Sequence, residues 1–179
     1  SRPVIQAGQG VLYGKASKQL LELAELTRVP VMSSMAGKSS FPETHELALG
    51  TRSSSTTDMV VHFIDKADMI FGVGTSFTRI HYGMNDFDKK TLVQITNSSD
   101  DINKDYSPDH AVLGDVQLVL EQLIVEVKEL LGSSSRNESF KFEDEIASVR
   151  ESWFKEWMPH LQSDETPISP YRVIWELMQ

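Results

Sequence analysis

The run Met69-Ile70-Phe71-Gly72-Val73, bounded by Asp68 and Gly74, is apolar at odd and even positions alike. Successive side chains of a strand point to opposite faces, so such a strand must be covered on both. A run this short, closed by glycine, reads as a strand rather than a buried helix. That one segment excludes a sheet with a wet face and asks for a parallel sheet between two helical layers.

The rest of the chain supplies the layers. Pro3-Val4-Ile5-Gln6-Ala7-Gly8 reads as a first buried strand ending in glycine. From Ala16 to Thr27, the residues Ala16, Leu20, Leu23, Ala24 and Thr27 fall on one face of a helix, with Ser17 near its start as a cap. Val29-Pro30-Val31-Met32-Ser33 follows as a second strand with its proline at the beginning. Ala36 to Gly50 reads as loop, holding at most a short edge strand at Leu47-Ala48-Leu49. Thr56 to Lys66 is a helix with Thr57 or Asp58 near its N-terminus. Thr91 to Thr96 and Ala111 to Leu113 are further strands, and Val116 to Leu131 is a strongly amphipathic helix closed by Gly132. Strand and helix in this rhythm mean right-handed crossovers, so residues 1–132 predict a doubly wound, three-layer α/β domain.

Beyond it, residues 133–168 read as linker and amphipathic helix: Ser133 to Ser139 is polar linker, and Phe142, Ile146, Val149, Trp153 and Trp157 form a helical stripe ended by Met158-Pro159. The stripe is expected to cover a groove on a neighbouring domain. Ser169 and Pro170 open a last helix as N-cap and first helical residue. It reaches Gln179 with no capping signal, so residues 169–179 are read as the start of a further domain.

Charge and composition narrow the function. The 179 residues hold 17 Lys+Arg against 26 Asp+Glu, a net charge of −9, which repels phosphate backbones and argues against nucleic acid. No apolar run nears the ~18 residues of a membrane helix. Zero cysteines exclude disulfides, thiolate zinc sites and cysteine nucleophiles. The expectation is a cytoplasmic protein with neither membrane nor nucleic-acid partner.

Three motifs bear on chemistry. The first is Gly8-Gln9-Gly10-Val11-Leu12-Tyr13-Gly14, between the first strand and first helix. Glycines there admit a phosphate to a helix N-terminus, or simply make a tight turn. The spacing is one residue longer than the dinucleotide fingerprint, and Ser33 and Ser34 stand where an acid would close the second strand. The second, Gly37-Lys38-Ser39, imitates the tail of a P-loop, but Met32 occupies the required first glycine and Phe41-Pro42-Glu43 follows in place of a helix. The third, Gly72-Val73-Gly74-Thr75-Ser76, ends the central strand where such sheets place ligands, with Arg79 available for a phosphate. His45, His62, His81, His110 and His160 show no metal spacing, and no G-x-S-x-G elbow occurs. Nothing reads as a self-sufficient active site.

Several strings in order resemble the central domain of thiamine-diphosphate-dependent enzymes, the family of acetolactate synthase and several 2-oxo-acid and acyl-CoA decarboxylases. They are Arg2-Pro3-Val4-Ile5 with Ala7-Gly8-Gln9-Gly10, Ala24-Glu25-Leu26-Thr27, Val29-Pro30-Val31, Gly37-Lys38-Ser39 to Glu43 with His45, Leu49-Gly50, Ala67-Asp68, Gly72-Val73-Gly74 and Gly114-Asp115. The resemblance covers residues 1 to about 131 and is closest to acetolactate synthase.

It implies a Rossmann-like (DHS-like NAD/FAD-binding) domain with a six-stranded parallel sheet. Thiamine diphosphate and magnesium would sit on flanking pyrimidine- and diphosphate-binding domains, in a homo-oligomer. The Gly-Asp-Gly of the diphosphate domain is absent from this sequence, so no catalytic residue and no metal ligand is assigned. The crevice of relatives holds FAD, ADP or nothing. By position, the FAD-type contacts fall on Gly8, Gln9, Gly10, Ser33, Ser34, Met35, Gly50, Thr51, Arg52, Gly74, Thr75, Ser76, Arg79, Thr96, Asn97 and Asp115. Ser76-Phe77-Thr78-Arg79 keeps one arginine of an arginine-and-acid cluster, Asn97 replaces an acid, and a serine run follows Arg52. These departures weigh against FAD and leave ADP or an empty crevice open. A reading without thiamine chemistry is an autonomous nucleotide-binding module.

Overall fold

A computed structural model describes residues 1–54, 56–79, 87–132 and 142–178. The doubly apolar run is strand β4 (Met69–Val73), and it lies in the middle of the sheet. Its neighbours are β1 (Pro3–Ala7) and β5 (Thr91–Thr96); β2 (Val31–Ser34) and β3 (Ala48–Arg52) extend the β1 side, and β6 (His110–Leu113) extends the other. The order is β3-β2-β1-β4-β5-β6 and every pair is parallel. This is the expected three-layer α/β fold.

The period of two along each strand sorts the core. Ile5, Val31, Val73 and Ile95 face a layer made by α1 (Gln9–Tyr13), α2 (Ser17–Thr27) and α4 (Val116–Leu131), meeting Val11, Leu20, Leu23, Leu120 and Ile124. Val4, Met32, Ile70 and Leu92 face the opposite layer, where α3 (Asp58–Lys66) contributes Val60, Phe63 and Ile64. The edge strand β6 is exposed at all four residues.

Several boundaries differ from the sequence reading. The second strand begins at Val31, because Pro30 has no N–H to donate, although its carbonyl accepts the Ile5 N–H at 2.9 Å. The edge strand is Ala48–Arg52, two residues longer than expected, with a register shift at Val31/Met32 that lets Gly50 pair. Within the glycine loop, Gln9–Tyr13 forms a short helix. The cap of α2 is Ala16, with no side-chain bond, in place of Ser17.

The helix α5 (Phe142–Leu161) carries the aromatic stripe and runs through Pro159, whose missing N–H falls in the last turn. The front of the stripe covers this chain's own α3: Phe142 is buried edge-on to Phe63, ring centroids 6.2 Å apart, and Ile146 is fully buried. The expectation that it covers a neighbouring domain is corrected for these residues. The rear of the stripe meets α6 (Pro170–Leu177), Trp157 against Tyr171 and Phe154 against Trp175, with centroids at 5.3 and 6.2 Å. Ser169 and Pro170 open α6 as expected, although Ser169 caps without a side-chain bond. The Ser133–Ser139 linker lies outside the described residues.

One carboxylate fastens α5. Glu145 takes Arg2 Nη2 at 2.8 Å on Oε2, and His62 Nε2 at 2.7 Å and Lys66 Nζ at 3.1 Å on Oε1. Burial pushes its pKa up, but bonds from Arg2, His62 and Lys66 and the charge of Arg2 pull it from 4.5 down to about 2. Arg150 adds a bond to the Ala48 carbonyl at 2.9 Å.

The turns after β1 and β4 interlock. Gly8 N–H donates to Val73 O at 2.8 Å and Gly10 N–H to Gly74 O at 2.9 Å. A Cβ on Gly8 would lie 2.1 Å from the Gly74 oxygen, and Gly74 itself is left-handed at φ 60. Backbone cannot yield as a side-chain end can, so Gly8→Ala should cost about 3 kcal/mol or more in chemical denaturation. Gly132→Ala has nothing within 4 Å but sits at φ 58 and ψ −128, outside the regions open to L side chains, and should cost about 1–3 kcal/mol in the same assay. For Glu145→Gln, the depressed carboxylate stabilises the fold above its ordinary pKa and loses that contribution as pH falls through the folded value. The melting-temperature gap between wild type and variant should therefore be full at pH 7, shrink below about 4.5 and close near 2.

Candidate functional site

In doubly wound sheets, ligands settle outside the C-terminal strand ends where the strand order reverses. Here the reversal lies between β1 and β4, and a cleft of about 770 Å3 opens there. Gly8, Gln9, Gly10, Ser34, Met35, Arg52, Gly74, Thr75, Ser76, Arg79, Thr96, Asn97 and Asp115 line it. Ser33, Gly50 and Thr51 do not. Ser33 and Thr51 bond each other inside the sheet, hydroxyl to hydroxyl at 3.0 Å, and Gly50 faces Thr57 and Val60 within β3.

The glycines hold the floor together. The Gly8 and Gly10 amides are engaged by the Val73 and Gly74 carbonyls, so neither is offered to an anion in the cleft. Arg52, Arg79 and Lys104 stand against Asp101 and Asp115, a local positive excess on a chain of net −9. Arg52 is 4% exposed, its guanidinium 4.4 Å from the Phe87 centroid; that of Arg79 lies 4.5 Å from Tyr106. Stacking of this kind fixes the plane of each cation.

The other polar groups are partly spent on the fold. Asp115 Oδ1 caps α4 by accepting the Leu118 N–H at 3.1 Å, which puts its negative charge on the positive end of that helix. Ser34 Oγ accepts the Gly37 N–H at 3.1 Å, and Thr96 Oγ1 donates to Asp101 Oδ2 at 3.1 Å. Tyr13 and Met35, 78% and 65% exposed, form an apolar rim.

The turn after β4 shapes one wall. Phe77 sits in the left-handed region at φ 50 and lays its ring over Gly72, where a Cβ would come within 2.3 Å of it. Thr75 is held by two buried amides: Gln6 Nε2 donates to its Oγ1 at 3.3 Å, and Gln94 Nε2 to its carbonyl at 2.9 Å. Sequence reasoning passed over Gln6, Tyr13, Asp101 and Lys104. For Gln6 and Gln94 the available signal was an amide inside an otherwise apolar strand.

The remaining motifs are structural. Lys38 of the P-loop imitation pairs with Glu43, and Gly37 packs against the Ala7 and Gly8 backbone. His45 Nδ1 accepts the Leu47 N–H at 3.1 Å, His62 belongs to the Glu145 cluster, and His81 lies outside the described residues. Among the described residues no cluster of three His, Cys, Asp or Glu is placed to hold a metal, and no helix is long and apolar enough to cross a membrane.

Comparison with known proteins agrees with this architecture. Residues 1–123 match the family model described as thiamine pyrophosphate enzyme, central domain. A probable acetolactate synthase large subunit from Methanococcus aeolicus is 30% identical across 99% of this chain and 30% of its own length. Acetolactate synthase of Mycobacterium leprae is 31% identical across 98% of the chain and 28% of its own length. A 3D-(3,5/4)-trihydroxycyclohexane-1,2-dione hydrolase of Clostridium perfringens is 29% identical across 87% of the chain and 24% of its own length. The chain thus spans under a third of the length of these relatives. A doubly wound six-stranded sheet, a cleft at its reversal point and a family match over residues 1–123 lead to one assignment: the chain belongs to the central-domain family of thiamine pyrophosphate enzymes.

Proposed function

We propose that this chain serves as the non-catalytic middle of a thiamine-diphosphate-dependent lyase or transferase acting on 2-oxo acids or acyl-CoA. In this reading it scaffolds flanking domains that hold thiamine diphosphate and magnesium, within a cytoplasmic homo-oligomer. The thiamine group supplies carbanion stabilisation to the whole enzyme. The names of the relatives, two acetolactate synthases and a dione hydrolase, support the chemistry of the parent.

The reading gives the cleft an adenine nucleotide, ADP or FAD. The single observation that carries this is the convergence of the β1, β4 and β5 ends on one cleft with cations, hydroxyls and an apolar rim. Arg79 and Lys104 offer charge to phosphates, and Tyr13 and Met35 offer apolar surface to a flat base. Asp101, Asn97 and Asp115 offer acceptors to ribose. The donor set suits a nucleotide that is gripped by side chains.

Thermal unfolding with ADP, FAD, NAD, CoA and thiamine diphosphate tests both parts. A ligand at a hundred times its Kd adds about 2.7 kcal/mol, a shift of several degrees for a domain of this size. ADP or FAD should raise the melting temperature and thiamine diphosphate should not. No shift with either adenine nucleotide overturns the nucleotide assignment, and a shift with thiamine diphosphate overturns its placement on other domains.

A further inference from the structure

We propose that Gln6 reads the bound nucleotide directly, with the free end of its side-chain amide bonding a ribose hydroxyl. The inference rests on the nucleotide reading above and adds a residue to it.

Gln6 is the one polar side chain in β1, between Ile5 and Ala7, and it is 2% exposed. An amide so placed must find partners for both its ends or lose the hydrogen bonds that water gave it. One end is satisfied, because Nε2 donates to Thr75 Oγ1 at 3.3 Å. The other end, Oε1, is itself buried with no partner among the described residues, while the residue as a whole borders the cleft. Turning the amide over changes nothing essential. The Thr75 hydroxyl would then donate to Oε1 and leave Nε2 as the free end. A hydroxyl both donates and accepts, so it satisfies either orientation; a phosphate oxygen satisfies only one.

Gln94 provides the contrast. It lies two strands away in register, Gln6 and Gln94 both facing Gly72 of β4, and it also holds Thr75, through the carbonyl at 2.9 Å. Its Oε1 is likewise buried without a partner, yet Gln94 does not border the cleft. A variant at Gln94 disturbs Thr75 as one at Gln6 would, without altering a residue that borders the cleft.

Calorimetric titration of the purified protein separates these roles. Wild type, Gln6→Met and Gln94→Met are titrated with ADP and FAD, and wild type also with 2′-deoxy-ADP and 3′-deoxy-ADP. Gln6→Met should weaken binding by about tenfold while Gln94→Met stays within about twofold. One deoxy analogue should be about tenfold weaker than ADP on wild type and lose nothing further on Gln6→Met, the coupling that a direct contact requires. Equal losses in the two variants would assign the effect to Thr75 and overturn direct contact. So would unchanged binding by Gln6→Met. If Gln6→Met does not fold, two deoxy analogues that bind wild type as well as ADP overturn the proposal without any variant. Failure of wild type to bind either ADP or FAD overturns the nucleotide reading itself, a separate outcome.

Discussion

The turns that follow β1 and β4 touch backbone to backbone, and the architecture around them follows from that contact. Gly8 and Gly10 donate to carbonyls of Val73 and Gly74, and neither side has room for a Cβ at the crossing. The contact sits where the strand order reverses, so the same glycines that close the floor of the cleft also set its place in the fold. With those two amides committed to the crossing, charged side chains project around the floor. Arg52 does so from the end of β3 and Arg79 from the turn after β4, each laid against an aromatic ring.

A second constraint operates on the far end of the sheet. Glu145 collects Arg2 from the start of the chain and His62 and Lys66 from α3, and Phe142 and Ile146 bury themselves beside it on α3. Neither the ion cluster nor the apolar contact is unusual alone. Together they make α5 part of the α3 layer, with Arg150 reaching the start of β3 at Ala48. The aromatic stripe of α5 therefore divides its work, its front half on the core and its rear half on α6.

Much of this was legible in the residues. The doubly apolar β4 segment dictated a covered parallel sheet, and the helical periods of α2, α3 and α4 supplied the layers that cover it. Edge features were less legible, since the extent of β3 depends on a register shift at Val31/Met32 that no local pattern announces. The crevice residues followed from family resemblance and topology more than from their own chemistry. Gln6, Asp101 and Lys104 come from separate segments, and only folding shows that they border one space. The destination of the aromatic stripe was misread because an amphipathic face declares that it needs a partner without saying which one.

The cleft opens at the C-terminal ends of the strands, whereas Arg2, Lys66 and Ala48 mark the N-terminal ends that α5 straps. The full length of the sheet separates the two. One sheet thus has an open pole, where its strand ends part around the cleft, and a strapped pole, where a single helix ties down the starts of separate strands.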